Sequence, residues 1–90
     1  MEQKAKVEIY TWEQCPYCQK TIQLFDRKGI QYTCYRIDGD EEAREKMIER
    51  ANGKRTVPQV FINDKHIGGC DDTHALEEKG ELDKLIFSVV

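Results

Sequence analysis

The sequence predicts an α/β domain: a four-stranded mixed β-sheet with helices on both faces, in the order β-α-β-α-β-β-α-α. Three observations carry that prediction. Short β-prone runs alternate with segments of helical periodicity, and the first three elements form a parallel crossover unit. Asn63-Asp64 is a two-residue turn that folds the last two strands into a hairpin. Glycines stand where the helical patterns stop. The 90 residues make one domain, residues 1–90, with no repeat and no linker.

Val7-Glu8-Ile9-Tyr10-Thr11 alternates and is β-prone, so it is the first strand. From Cys15 to Lys28, Ile22, Leu24 and Phe25 sit at helical spacings. Pro16 falls early in that helix, where its missing N–H costs nothing, and Gly29 ends it. Gln31 to Ile37, rich in β-branched and aromatic residues, is the second strand. Cys34 within it is expected to be a small buried apolar side chain. Asp38-Gly39-Asp40 breaks the strand. Asp38, at capping-box spacing from Glu41, and Asp40 are equal candidates to cap the next helix. That helix carries Ala43, Met47, Ile48 and Ala51 on one face and ends near Asn52-Gly53. Gln59 to Ile62 and Lys65 to Ile67 are the hairpin strands, closed by Gly68-Gly69. A third helix runs from about Asp71 to Lys79 with Gly80 behind it. Leu82, Leu85, Ile86 and Val89 mark a last amphipathic helix.

A net charge of -3 without a basic patch argues against a nucleic-acid partner. No apolar run is long enough to span a membrane. The stretch Met1 to Lys6 has no hydrophobic core, so no secretory leader is expected. The cysteine content is below that of a disulfide scaffold, and cysteines close in sequence then point to catalysis or metal binding in a reducing compartment. An intracellular, cytoplasmic protein is expected.

The chemistry concentrates at Cys15-Pro16-Tyr17-Cys18. A CxxC beside a βαβ pattern is a thioredoxin-like redox motif. The loop after the first strand delivers Cys15 to a helix N-terminus, where unpaired N–H groups and the helix dipole favour a thiolate. Thiolate is the attacking species in disulfide exchange. Cys18 lies one turn on, within reach of Cys15 but more buried. Cys15 is therefore expected to attack and Cys18 to resolve. A structural zinc site would need a second ligand pair. His66, His74, Cys34 and Cys70 are scattered without such spacing, so no metal site is expected.

Cys-Pro-Tyr-Cys, then Thr56-Val57-Pro58, then Gly68-Gly69-Cys70-Asp71-Asp72 resembles the glutaredoxin family, in particular its short bacterial dithiol members. The resemblance spans essentially the whole chain and implies a thioredoxin-like fold. It also implies a glutathione-dependent thiol–disulfide oxidoreductase with glutathione as co-substrate and no tightly bound cofactor. Its partners would be glutathione and disulfide-bonded or glutathionylated proteins, met by a monomer. By the same resemblance Pro58 is cis and presents the Val57 backbone towards Cys15. An extended substrate segment can pair with that backbone as an added strand. The Gly69, Cys70, Asp71 and Asp72 segment would dock the γ-glutamyl end of glutathione, with Asp72 first and Asp71 second to receive the ammonium group. Their alternative role is helix capping. Tyr17 would pack beside the tripeptide, with Thr56 and Gln59 near its other end. Lys54 or Arg55 would either pair with the glycine carboxylate or be solvated charges. Cys70 is expected to contribute backbone, its thiol incidental. One departure stands out: many glutaredoxins carry Lys three residues before the first cysteine, and this chain has Trp12. The alternative function is an iron–sulfur carrier that dimerises around a cluster held by Cys15 and glutathione.

Overall fold

A computed structural model describes residues 3–87. Strand β1 (Val7–Thr11) lies inside the sheet and all five of its residues are buried. It pairs in parallel with β2 (Thr33–Arg36) and antiparallel with β3 (Gln59–Ile62), which pairs antiparallel with β4 (Lys65–Gly68). The resulting order is β2-β1-β3-β4. Helix α1 (Pro16–Arg27) makes the crossover from β1 to β2, and α2 (Glu41–Arg50) the connection to β3. Helices α3 (Cys70–Glu78) and α4 (Glu81–Phe87) follow the hairpin.

Strand alternation divides the core between the two faces. Val7, Ile9, Val60 and Ile62 pack with Leu24 and Phe25 of α1 and Leu82 and Ile86 of α4. Tyr10 and Phe61 point the other way and pack with Met47 of α2 and with Ala51 just behind it. Helix α1 ends as its glycine predicts. Gly29 takes φ +70°, its N–H donates to Asp26 O and the Ile30 N–H to Phe25 O, at 3.1 and 2.9 Å. That pair of bonds is a Schellman motif, and Ile30 is buried in the same cluster as Phe25.

Several expectations need correction. The second strand is shorter than Gln31 to Ile37, because Gln31 is held by a side chain instead of a strand. Its N–H donates to Gln3 Oε1 at 2.7 Å and its carbonyl accepts from Gln3 Nε2 at 2.8 Å. Cys34 is exposed, because β2 is a sheet edge, and its Sγ lies 3.2 Å from Thr11 Oγ1. Asp40, and not Asp38, caps α2, accepting from the Ala43 N–H at 3.0 Å. The third helix begins at Cys70, with Gly69 as its N-cap. In α4, Leu82 and Ile86 are buried but Leu85 is exposed, and Val89 lies outside the described residues. The hairpin turn is as expected: Asn63 and Asp64 both take positive φ, 50° and 65°, the type I′ signature.

Candidate active site

The topology brings three loops to one end of the sheet. Strand β1 ends where β3 begins, since Tyr10 pairs with Gln59, so the loop carrying Cys15 meets the segment Thr56-Val57-Pro58. Strand β4 ends opposite the same end of β3, Gly68 pairing with Val60, which adds the start of α3.

Cys15 is the N-cap of α1, with an extended backbone at φ -111° and ψ 105°. Its Sγ accepts the Cys18 N–H at 3.2 Å. That donor is one of those orphaned in a first helical turn, and here it is spent on sulfur. The positive end of the helix dipole falls on the same atom. Pro16 opens the helix, as its fixed φ and missing donor allow. Cys15 is half-buried, whereas Cys18 is 2% exposed. Burial, and next the hydrogen bond with Cys15, pushes the Cys18 thiol up to about 12. Two thiols one turn apart therefore differ sharply: one faces outward on a helix end, the other stays protonated inside.

The Val57–Pro58 bond is cis. Val57 O lies 3.9 Å from Cys15 Sγ, so backbone of this segment does face the outer cysteine. Gln59 is buried and its Nε2 donates to Thr56 O at 3.0 Å and to Thr56 Oγ1 at 3.2 Å. Gly69 sits close beneath Pro58, where an added Cβ would stand 3.3 Å from Pro58 O. Asp72 Oδ2 accepts the Gly69 N–H at 3.1 Å, while Asp71 and Asp72 both remain exposed.

A cleft of about 470 Å³ approaches Cys15 through Val57, whose carbonyl faces the sulfur, although Cys15 itself does not line it. Tyr17, Thr56 to Gln59 and Gly69 to Asp72 line it. Every residue expected at a ligand site thus lines one cavity. Of the two cations considered, Lys54 lines it and Arg55 does not. Cys70 is 8% exposed, with Sγ 3.4 Å from His74 Nδ1. Trp12 is 46% exposed. Sequence reasoning gave His66 no task, yet it lines the cleft and its Nε2 lies 2.6 Å from Gln59 Oε1. The signal was in the hairpin. A two-residue turn at Asn63-Asp64 pairs His66 with Phe61, and Gln59 stands on the same face two residues away.

The family model for glutaredoxin matches residues 7–67. A probable glutaredoxin of Synechocystis is 57% identical over 88 residues, covering 98% of this chain and all of that protein. Glutaredoxin 3 of Escherichia coli is 51% identical over 82 residues, covering 91% of this chain and 98% of its own length. Among solved structures, the glutaredoxin of Brucella melitensis superposes with a TM-score of 0.77 at 45% identity, covering 89% of this chain and 86% of that one. The buckwheat glutaredoxin–glutathione complex gives a TM-score of 0.81 at 31% identity, covering 90% of this chain and 76% of that one. The fold is thioredoxin-like. A family match over most of the chain, and relatives more than half identical along nearly their full length, lead to one conclusion: the chain belongs to the glutaredoxin family.

Proposed function

We propose that this glutathione-dependent thiol–disulfide oxidoreductase works through Cys15 as nucleophile and Cys18 as resolving thiol. Glutathione, the co-substrate, is bound by Tyr17, Thr56, Val57, Pro58, Gln59, Gly69, Cys70, Asp71 and Asp72. The observation that carries the assignment is the asymmetry of the thiols. Cys15 Sγ takes a helix N–H at 3.2 Å beside the cleft, and Cys18 is buried with its proton held to about 12. The glutathione complex of the buckwheat relative supports the ligand.

In the one-thiol route the Cys15 thiolate attacks the glutathione sulfur of a protein–glutathione disulfide. The protein thiolate leaves, and glutathione remains on Cys15. A second glutathione thiolate attacks that bond, releasing oxidised glutathione and free Cys15. In the two-thiol route Cys15 attacks a protein disulfide. Cys18 then displaces the substrate from Cys15, and the departing thiolate takes the Cys18 proton. Two glutathione molecules reduce the Cys15–Cys18 bond. Both routes are covalent exchange, paced by thiolate fraction and leaving-group pKa. A bound extended segment would pair with the Val57 backbone beside the attacking sulfur. The ammonium end of glutathione would meet Asp72 at the start of α3, and its carboxylate the N–H groups there. Residues 1–90 act as one domain and as a monomer in the cytoplasm, carrying electrons from glutathione in redox homeostasis with no resident cofactor. Among the described residues no helix is long and apolar enough to cross a membrane.

Single-cysteine variants test the assignment. Cys15→Ser is expected to bring reduction of a glutathionylated peptide and of a protein disulfide down to background. Cys18→Ser is expected to keep the first activity and lose the second. Retained turnover in Cys15→Ser, or equal loss of both activities in Cys18→Ser, would reject the division of labour.

A further inference from the structure

His66 lies on the cleft wall without a place in the ligand set above, and its surroundings assign it one. Gln59 is 2% exposed, so its amide oxygen and nitrogen both need partners. The nitrogen is spent on Thr56 O and Thr56 Oγ1, at 3.0 and 3.2 Å. The oxygen then faces His66 Nε2 at 2.6 Å and can only accept. The ring must therefore donate from Nε2. Burial first, then the charge of Lys54, holds His66 below the ordinary imidazole range, against the opposing charge of Asp72. The same ring packs against Phe61, centroids 5.3 Å apart, which sets its plane.

The far end of this chain of bonds is a peptide plane. Thr56 C=O and Val57 N–H belong to one rigid planar unit, so fixing the oxygen fixes the direction of the N–H. Val57 also carries the carbonyl 3.9 Å from Cys15 Sγ. Its N–H is the donor that an extended ligand meets when it adds to this edge.

We propose that His66 is a positioning residue for glutathione: its Nε2–H holds Gln59, Gln59 holds the Thr56 carbonyl, and that strut aims the Val57 N–H at the bound tripeptide. The proposal rests on the glutathione assignment of the cleft and gives it a part that the family motifs quoted above do not contain. His66 acts through Gln59 on the binding edge, so its loss falls on affinity more than on the exchange step.

Two substitutions and one spectrum test it. His66→Phe keeps a ring against Phe61 and removes the donor. His66→Gln returns an N–H near the position of Nε2. With a glutathionylated peptide and glutathione as substrates, His66→Phe is expected to raise KM about 5- to 10-fold with kcat within about twofold. His66→Gln is expected to recover most of that loss. A long-range proton–nitrogen correlation spectrum of the wild-type protein is expected to show a neutral ring protonated at Nε2. An unchanged KM in His66→Phe, a loss that His66→Gln fails to recover, or a ring protonated at Nδ1 alone overturns the strut while the wild-type enzyme still turns over the peptide. A wild-type protein without such turnover overturns the glutathione assignment, and this proposal with it.

Discussion

Asp72 is already engaged before any ligand arrives. Its Oδ2 takes the Gly69 N–H at 3.1 Å, closing the start of α3 from the third helical position as a capping-box acid does. The same carboxylate lies over Gly68, where an added Cβ would collide with it, and Gly68 takes φ +124°. Two constraints therefore demand glycine there: the close approach and the backbone angle. Capping and ligand binding separate in Asp72→Asn, which keeps an acceptor for the Gly69 N–H and removes the charge. KM for glutathione is expected to rise about tenfold, the worth of one charge-assisted hydrogen bond of roughly 1.5 kcal/mol, with Tm nearly unchanged. A lower Tm at constant KM would leave Asp72 as a cap alone. The capping role of Asp72 was legible in the sequence, because an acid at the start of a helix is a local pattern. The exposure of Cys34 was not. It depends on β2 being a sheet edge, and strand order is decided by residues far along the chain.

The α2 cap shows the same limit at the scale of an element. Asp38 and Asp40 offer equivalent short side chains ahead of the helix, and spacing alone does not choose between them. Tertiary partners do. Arg36 donates to Asp38 from Nε and Nη2 at 2.8 and 2.6 Å, and the Glu13 N–H adds a third bond at 3.3 Å. Asp38 thereby ties the loop after β1 to the end of β2, and Asp40 is left to accept from Ala43 N–H. Asp40→Ala is expected to cost about 1 kcal/mol and lower Tm by about 5 °C. The loss is global because α2, through Met47, supplies much of one core face. Thermal unfolding followed by circular dichroism measures it, and an unchanged midpoint would show that the cap adds nothing to the folded chain. The shortened second strand has the same kind of cause. Gln3 occupies both backbone groups of Gln31 from 28 residues away, which no local propensity reveals.

At the scale of the whole molecule, the helix α2 is fastened to the sheet by a buried charge. Alternation along Val7 to Thr11 sets Glu8 on the face opposite Val7 and Ile9. That face is covered by α2, and Glu8 is 5% exposed. A carboxylate taken out of water needs partners, and Glu8 has them. Arg50 Nη2 donates to Oε1 at 2.8 Å, Arg50 Nη1 to Oε2 at 3.3 Å, and Tyr35 OH to Oε2 at 2.8 Å. The guanidinium also stacks 4.1 Å from the Phe61 ring centroid, and its Nη1 donates to Tyr10 OH. Arg50 stands 42 residues from Glu8, so the pair joins the helix to the central strand. The hydrogen bond from Arg50 is the main cause that holds the Glu8 carboxyl below its ordinary value of 4.5. A lowered native pKa means stabilisation that is complete above the unfolded value and is lost as pH falls through the folded one. Arg50→Ala removes the principal partner but leaves Tyr35 and Lys6, so the expected cost at pH 7 is about 3 kcal/mol, the lower end for breaking a buried pair. In the wild type, protonation of Glu8 breaks the same pair. The difference between wild type and variant in urea unfolding is therefore expected to be full at pH 7 and to shrink as pH drops below about 4. A difference that stays constant down to pH 3 would mean that Arg50 stabilises the fold through its stacking on Phe61 and not through the charge of Glu8.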